Sequence, residues 1–377
     1  MPALRSYLFL VACCLFSVLP ATAQVSPSIQ DYLSSVPATD RGKLEEALKD
    51  AGGNGKELGG ALKEASETEQ GDVAYLIKEM PHLDRLEMTS AVLLEHVREA
   101  QRARKESFAK ALSESLYQEH LLTYRLDEEP CEAWRKSLRE EFTPLIKGCQ
   151  GPLEAARCVN RWVAKNIKRV GSRYFGPEQS PLMTLARNKG TPAEVAVLTT
   201  AILRSLGIAC RMASLGARDR DDPLYAWIEV CSSEVWVPLY PFDPKRFGKG
   251  PGCDFIPVVS TSSGFGPVLV TERYTPVGQA RLVLKEKGKP LAGFKDFSIS
   301  VITGGAFKPL DELAALFPDE ELKTDSAGTF ACTLGQGRYL AVAGKRDSLG
   351  NPDVVLKEFM VAPKQTAEVE LDLGEKR

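Results

Sequence analysis

Residues 190–211 read GTPAEVAVLTTAILRSLGIACR, and this stretch predicts a tight turn, a buried helix and a strand in that order. Thr191 suits the N-cap of the helix, Pro192 its first residue and Glu194 its third, so the letters TPAE predict a capping box. The apolar run to Leu206 indicates a helix that is buried over most of its surface. The central part of the chain is therefore expected to be built around this helix.

Strand-like segments follow the helix. IACRMASL, LYAWIEVC and EVWVPLYPF, between residues 208 and 242, alternate in the way that strands do. Residues 244–268 are rich in glycine, proline and serine and predict a boundary or a long surface loop. From about residue 278, short alternating segments separated by KGKP, DSAG and GQG predict a small β-sandwich.

The chain ahead of the central helix has a different pattern. From about residue 27 to 169, apolar residues recur at helical spacing in segments such as DRGKLEEALKDA, DVAYLIKEM and PLEAARCVNRWVAKNIKRV. In EHVREAQRARKE, acids and bases alternate as on a solvated helix face. We therefore expect an α+β multidomain protein with a helical N-terminal region, an α+β core and a C-terminal β-sandwich.

Composition limits the classes of function. The chain has 377 residues, of which 44% are hydrophobic and 26% charged, as in soluble globular proteins. Its formal net charge of -2 argues against a general nucleic-acid binder. Its length suggests two or three domains.

The first residues have the features of an export signal. MPALRSYLFLVACCLFSVLPATAQ contains an early cation, an apolar run and a small-x-small site, which predicts cleavage after Ala23. A lipid anchor at Cys13 is the less favoured alternative, because the apolar run continues past that cysteine. We expect a secreted or periplasmic protein with no membrane span after cleavage.

The cysteines and histidines do not form a recognisable ligand pattern. Seven cysteines follow residue 23, so at least one is unpaired, and their pairing is left open. None forms a CxxC motif, and the three histidines lie elsewhere, at residues 82, 96 and 120. We expect no metal site and no cofactor.

Three motifs carry a resemblance to a known family. RNKGTPAEVAVLTTAILRSLGIACRM, YAWIEV and EVWVPLYPFD, in this order and spacing, resemble the transglutaminase-like core, a papain-like arrangement. In that family a cysteine follows the glycine after one residue, a His-Ala-Trp strand comes next, and a tryptophan strand ends in aspartate. The LRSLGIACR, AW and W elements of this sequence match that pattern.

The departures from the family pattern fall on the catalytic positions. The resemblance places Pro192 at the cysteine position, Tyr225 at the histidine position and Tyr240 at the aspartate position, with Asp243 an alternative for the last. Such catalysis needs a thiolate and a neighbouring base. Proline has no nucleophilic group in its side chain. Tyrosine, with a reference pKa of about 10, is a poor base at neutral pH. The resemblance thus implies that the catalytic triad is lost.

The C-terminal part resembles a second family. GKPLAGF, TDSAGTF and GRYLAVAG, between residues 288 and 344, are similar to carboxypeptidase-regulatory-like or transthyretin-like β-sandwiches. The predicted organisation is a signal peptide over 1–23, a helical region over 24–149, the core over 150–250, a linker or long loop over 251–277 and the sandwich over 278–377.

The predicted function is non-catalytic. The cleft of the core, floored by Tyr225, Trp227 and Trp236 and bordered by Tyr240, is expected to bind a peptide, a glycan or another exported protein. One alternative is a transamidase, protease or amidase that uses a displaced cysteine. The other is a structural scaffold for the sandwich. The sequence leaves the ligand, the oligomeric state and any residual activity open.

Overall fold

The computed structural model describes residues 41–106, 108–171, 178–218, 222, 225–303, 305–316, 322–346 and 349–374. The predicted signal peptide, its cleavage site at Ala23 and the alternative anchor at Cys13 lie outside these residues. Among the described helices, none combines the length and apolarity that crossing a membrane requires.

Helices make up the first part of the described chain and the start of the core. In chain order they are α1 (Arg41–Asp50), α2 (Gly55–Glu64), α3 (Glu67–Glu79), α4 (His82–Glu87), α5 (Ser90–Glu106), α6 (Glu114–Tyr117), α7 (Arg135–Phe142), α8 (Pro152–Asn166), α9 (Pro181–Arg187) and α10 (Pro192–Ser205). Short 3₁₀ helices lie at Gly52–Asn54, Phe108–Ala111, Thr143–Ile146, Pro244–Arg246, Thr271–Arg273 and Asp311–Leu316, and a π-helical turn lies at Gln118–Leu122.

Strands dominate the second half of the chain. They are β1 (Lys168–Arg169), β2 (Lys189–Gly190), β3 (Cys210–Leu215), β4 (Ala226–Ser232), β5 (Val235–Leu239), β6 (Val259–Ser263), β7 (Gly266–Leu269), β8 (Val277–Glu286), β9 (Lys289–Pro290), β10 (Phe297–Thr303), β11 (Ala306–Pro309), β12 (Thr329–Gly335), β13 (Gly337–Arg346), β14 (Pro352–Val361) and β15 (Thr366–Leu373). The predicted α+β multidomain class is confirmed.

The core is a sheet packed on the central helix. Its strands have the order β5-β4-β3-β6-β7 and are antiparallel throughout. Every residue of α10 is buried. Ala226, Ile228 and Val230, which alternate along β4, belong to the same apolar cluster as the residues of α10, so one face of the sheet packs against the helix.

The segment predicted as a linker contributes to this sheet. Within residues 251–277, β6 pairs with β3, and Gly264, with φ of +62°, makes the turn into β7. The two strands are only five and four residues long. Their glycine-, proline- and serine-rich sequence resembles a loop, and the pairing of β6 with β3 and of β7 with β6 is what holds them as strands. The structure therefore differs from the expected linker here.

Two sheets form the C-terminal sandwich, as predicted. One has the order β11-β10-β13-β14, and in the other β8 lies between β12 and β15. The β8–β15 pair is parallel, and the other main pairs are antiparallel. Leu282, Ile299, Phe330, Ala341 and Leu371 are among the side chains of the apolar cluster shared by the two sheets.

Two buried arginines join the helical region to the core. Arg204, in the last turn of α10, donates to the carbonyl oxygens of Thr123 and Cys210 and to the Thr123 hydroxyl, at 2.7–3.1 Å. Arg135 donates to the carbonyls of Leu121, Leu122 and Thr123 at 2.6–2.9 Å. The carbonyls of residues 121 and 122 belong to the end of the π-helical turn, where helical carbonyls lack partners of their own.

Replacing Arg204 tests this connection. Arg204→Leu should lower the free energy of unfolding by about 3 kcal/mol, because it removes the guanidinium that donates to the buried Cys210 carbonyl and to Thr123. All four tryptophans lie between residues 134 and 236, so urea unfolding followed by tryptophan fluorescence reports on this part of the chain. Arg98→Leu, on the exposed side of α5, is the control and should cost less than about 1 kcal/mol. Equal losses in both variants would contradict the assignment.

Candidate functional site

The N-terminus of α10 carries the predicted capping box. Pro192 is the first helical residue and is buried. The Thr191 hydroxyl accepts from the Glu194 amide at 3.2 Å, and the Glu194 carboxylate accepts from the Thr191 amide at 2.8 Å. The capping box predicted from TPAE is confirmed.

The Glu194 carboxylate has further partners from the preceding segment. It accepts from the backbone amide of Gln179 at 2.9 Å and from the side-chain amide of Gln179 at 2.7 Å. Glu194 is only 3% exposed. A helix N-terminus attracts negative charge, and here the charge comes from the chain's own carboxylate. The N-terminus of α10, which could otherwise stabilise a thiolate, is therefore already occupied by the Glu194 carboxylate.

Tyr225 lies directly before β4 and is not part of the network at the start of α10. It is half-buried and lines a pocket of about 230 Å³, which we call the Tyr225 pocket. Besides Tyr225, three parts of the chain form its walls: the stretch between α6 and α7, the strands β3 and β6, and the β6–β7 hairpin. The lining residues are Arg125, Leu126, Asp127, Met212, Ala213, Ser214, Tyr225, Ser260, Thr261, Ser262, Gly264, Phe265, Gly266 and Pro267.

The Tyr225 pocket is a mixed polar and apolar site with one firmly held wall. The hydroxyls of Ser214 and Ser260 are hydrogen-bonded at 2.8 Å. Arg125 is fixed from outside the pocket, because its guanidinium donates to the Asp84 carboxylate at 3.0 Å and to the sulfur of Cys131, also at 3.0 Å. Hydroxyls beside an aromatic ring such as Phe265 suit small polar ligand groups.

Trp227 and Tyr240, which were expected to contact a ligand, are both buried and do not line the Tyr225 pocket. Trp227 is 0% and Tyr240 3% exposed, and their rings are stacked with centroids 6.0 Å apart. They pack on the face of the sheet opposite α10, and the Trp227 indole donates to Tyr274 at 3.1 Å. Burial raises the pKa of Tyr240, whose hydroxyl has no hydrogen-bond partner. Both side chains are part of the core.

Trp236 is half-buried but does not line the Tyr225 pocket. The guanidinium carbon of Arg211 lies 4.0 Å from the centre of a Trp236 ring, and the His120 ring lies 4.7 Å from Trp236. Asp243, the alternative third family position, caps the short helix Pro244–Arg246 by accepting from the Lys245 amide. The candidate residues are thus not gathered into one site.

Two of the three histidines, His96 and His120, are buried. Arg135 donates to Nδ1 of His96 at 3.2 Å, and Nε2 of His96 lies 3.0 Å from the carbonyl of Glu132. Burial lowers the pKa of His96 well below its usual value and that of His120 to about 3, so both are neutral at neutral pH. Among the described residues, no hydrogen bond joins a histidine to a cysteine.

Several thiols are poor candidates for a displaced nucleophile. Burial raises the pKa of Cys210 and of Cys332 to about 12, and it also raises the pKa of Cys231. A nucleophilic cysteine needs the opposite shift, because the thiolate is the reactive form. These three cysteines are therefore expected to be inert.

One cluster has atoms that could in principle bind a metal. Asp84, Glu87 and Cys131 are the one such group of three in the part of the chain that the structure describes. However, Arg125 already donates to both Asp84 and Cys131, and the Tyr124 hydroxyl donates to Asp84 at 2.8 Å. A metal ion would have to displace this guanidinium, so the donor set fits the arginine better than a metal ion.

The comparison with family models identifies the core. Residues 140–241 match the model of the transglutaminase-like superfamily. The match covers α8, α10 and strands β3 to β5, so the resemblance read from the three motifs is confirmed for this part of the chain. No curated protein matches the sequence.

The comparison with solved structures gives distant similarities. A "putative cysteine protease" from Cytophaga hutchinsonii is 13% identical, with a TM-score of 0.29, over 44% of this chain and 60% of that one. A "putative protease" from Parabacteroides distasonis is 12% identical, with a TM-score of 0.28, over 71% and 52%. The minor pilin GBS52 of Streptococcus agalactiae is 12% identical, with a TM-score of 0.20, over 44% and 82%. The chain thus spans little more than half of the first two structures, and TM-scores this low support no inference about its activity.

The network at the start of α10 can be tested through Glu194. Glu194→Ala should lower the free energy of unfolding by about 3 kcal/mol, because it removes the acceptor of several buried amide donors. Thr191→Ala removes a single capping contact and should cost about 1 kcal/mol. Urea unfolding of both variants measures the difference. A Glu194→Ala cost no larger than that of Thr191→Ala would contradict the proposed role of the carboxylate.

The neutral, buried His120 predicts a dependence of stability on pH. Its folded-state pKa of about 3 is below the ordinary 6.5, so the unfolded chain binds a proton that the folded chain does not. Its contribution to stability is complete above the unfolded-state pKa and declines as the pH falls toward about 3. His120→Phe should therefore gain stability relative to the parent protein as the pH is lowered.

Chemical unfolding at a series of pH values measures this gain. His82→Phe is the matched control, since His82 is on the surface and pairs with Asp50. It should show no comparable gain. A His120→Phe difference that stays constant with pH would show that His120 is not held neutral.

Proposed function

We propose that this chain is an exported transglutaminase-like protein that has lost catalysis and binds a short segment of peptide or glycan at the Tyr225 pocket. The observation that carries the proposal is the start of α10, where Pro192 stands and the Glu194 carboxylate accepts from the amides around it. The export part rests on the N-terminal sequence, MPALRSYLFLVACCLFSVLPATAQ.

The loss of catalysis follows from the chemistry at three positions. Pro192 offers no nucleophile, and Tyr225 offers no base at neutral pH. Tyr240, at the third position, is buried beneath Trp227 with a raised pKa. A displaced cysteine would need an activating partner, and the buried thiols with raised pKa values argue against one.

The Tyr225 pocket supports binding of a small group. Its volume of about 230 Å³ is below the ~300–1,000 Å³ of pockets that enclose whole drug-sized ligands. It therefore suits one side chain of a peptide or one sugar ring, with the rest of the ligand outside. Tyr225 and Phe265 supply aromatic surface, and Ser214, Ser260 and Ser262 supply hydroxyls.

Binding to arrays tests the proposal. Fluorescently labelled protein is applied to a peptide array and to a glycan array, and the affinity for the strongest spots is then measured in solution. Tyr225→Ala should weaken that binding at least tenfold, because it removes an aromatic wall of the pocket. Phe307→Ala, an exposed aromatic position on the sandwich, is the control and should bind normally. No binding by the parent protein, or equal binding by Tyr225→Ala, would contradict the proposal.

A further inference from the structure

Two thiols lie side by side at the start of α8. Cys149 is in the turn before the helix, and Cys158 is in its second turn. Their sulfur atoms are 3.8 Å apart, and both side chains are half-buried, so reagents can reach them. In the described residues this is the one pair of cysteines whose sulfurs are in contact.

Local hydrogen bonds hold the turn over the helix. The Cys149 amide donates to the carbonyl of Ile146 at 3.0 Å, and Gly148, with φ of +90°, reverses the chain just before it. The Gln150 amide donates to the Glu154 carboxylate at 2.8 Å. Glu154 and Cys158 are four residues apart and lie on the same face of α8. The backbone thus keeps Cys149 above the face that carries Cys158.

We propose that Cys149 and Cys158 are a disulfide-forming site. A disulfide bond is about 2.05 Å long, so the two sulfurs have to approach by roughly 2 Å. We expect rotation of the two half-buried side chains to supply this movement. The site is independent of the proposed binding function, since neither cysteine lines the Tyr225 pocket.

The reaction is thiol–disulfide exchange with a small disulfide such as oxidised glutathione. One protein thiolate attacks a glutathione sulfur, forms a mixed disulfide and releases one glutathione thiolate. The second protein thiolate attacks the protein sulfur of that mixed disulfide and releases the other glutathione. The protein loses two electrons and two protons, and the glutathione disulfide is reduced to two thiols.

The other cysteines are placed differently. Cys210, Cys231 and Cys332 are buried. Cys131 is half-buried, and its sulfur accepts from Arg125 and contacts no other cysteine sulfur among the described residues. Cys253 is half-buried like the proposed pair, which makes it the matched control.

Peptide mapping of the parent protein tests the proposal. The protein is equilibrated in an oxidising glutathione buffer, its free thiols are blocked with N-ethylmaleimide, and it is digested with trypsin without reduction. Trypsin cuts after Lys147, Arg157 and Arg161, so Cys149 and Cys158 fall on two separate peptides, 148–157 and 158–161. The expected product is these two peptides joined by a disulfide, and it disappears on reduction.

Two variants complete the experiment. Cys149→Ser should abolish the joined peptide, and Cys253→Ser should retain it. The proposal is overturned if both thiols of the parent protein are blocked by N-ethylmaleimide, if each carries glutathione separately, or if either is joined to another cysteine. The parent protein alone decides between these results, so a variant that fails to fold does not prevent the test.

Discussion

The buried guanidinium of Arg204 is the contact on which the arrangement of the helical region and the core depends. It donates from the last turn of α10 to the carbonyl of Cys210 at the start of β3 and to Thr123 beyond the π-helical turn. The end of α10, the start of β3 and the segment at Thr123, 81 residues before Arg204, are thereby joined through one planar group. Arg135 binds the neighbouring carbonyls, and burial together with Arg204 lowers its pKa to about 9. Carbonyls at a helix end carry partial negative charge, which offsets part of the cost of burying two cations.

This connection also explains the position of the Tyr225 pocket. Thr123, which Arg204 holds, is two residues from Arg125, and Arg125 to Asp127 form one wall of the pocket. The opposite walls come from β3 and β6, and β3 begins at the other carbonyl that Arg204 binds. The same contacts that attach the helical region to the sheet therefore leave the pocket between them. The start of α10 is closed by the Thr191–Glu194 capping box, and its residues do not line the Tyr225 pocket.

Local sequence predicted local structure well, and it failed where distant segments meet. The capping box TPAE and Pro192 as the first residue of α10 depend on neighbours within one turn, and both were predicted. The alternation in YAWIEV predicted a strand, but both faces of β4 are covered, so alternation could not show that Trp227 is buried. Strands β6 and β7 were missed because β6 pairs with β3, some 45 residues earlier, and β7 pairs with β6. No sequence signal pointed to Arg125 or Phe265, since their role arises only when the helical region packs on the sheet.

The most direct test of the proposed loss of catalysis is the alkylation rate of each cysteine. The reduced, folded protein and the denatured chain are treated with iodoacetamide at neutral pH, and mass spectrometry gives the rate at each thiol. We expect every thiol to react no faster in the folded protein than in the denatured chain, because the structure offers no cysteine–histidine pair among the described residues. One thiol that reacts many times faster when folded would reveal an activated nucleophile and contradict the account.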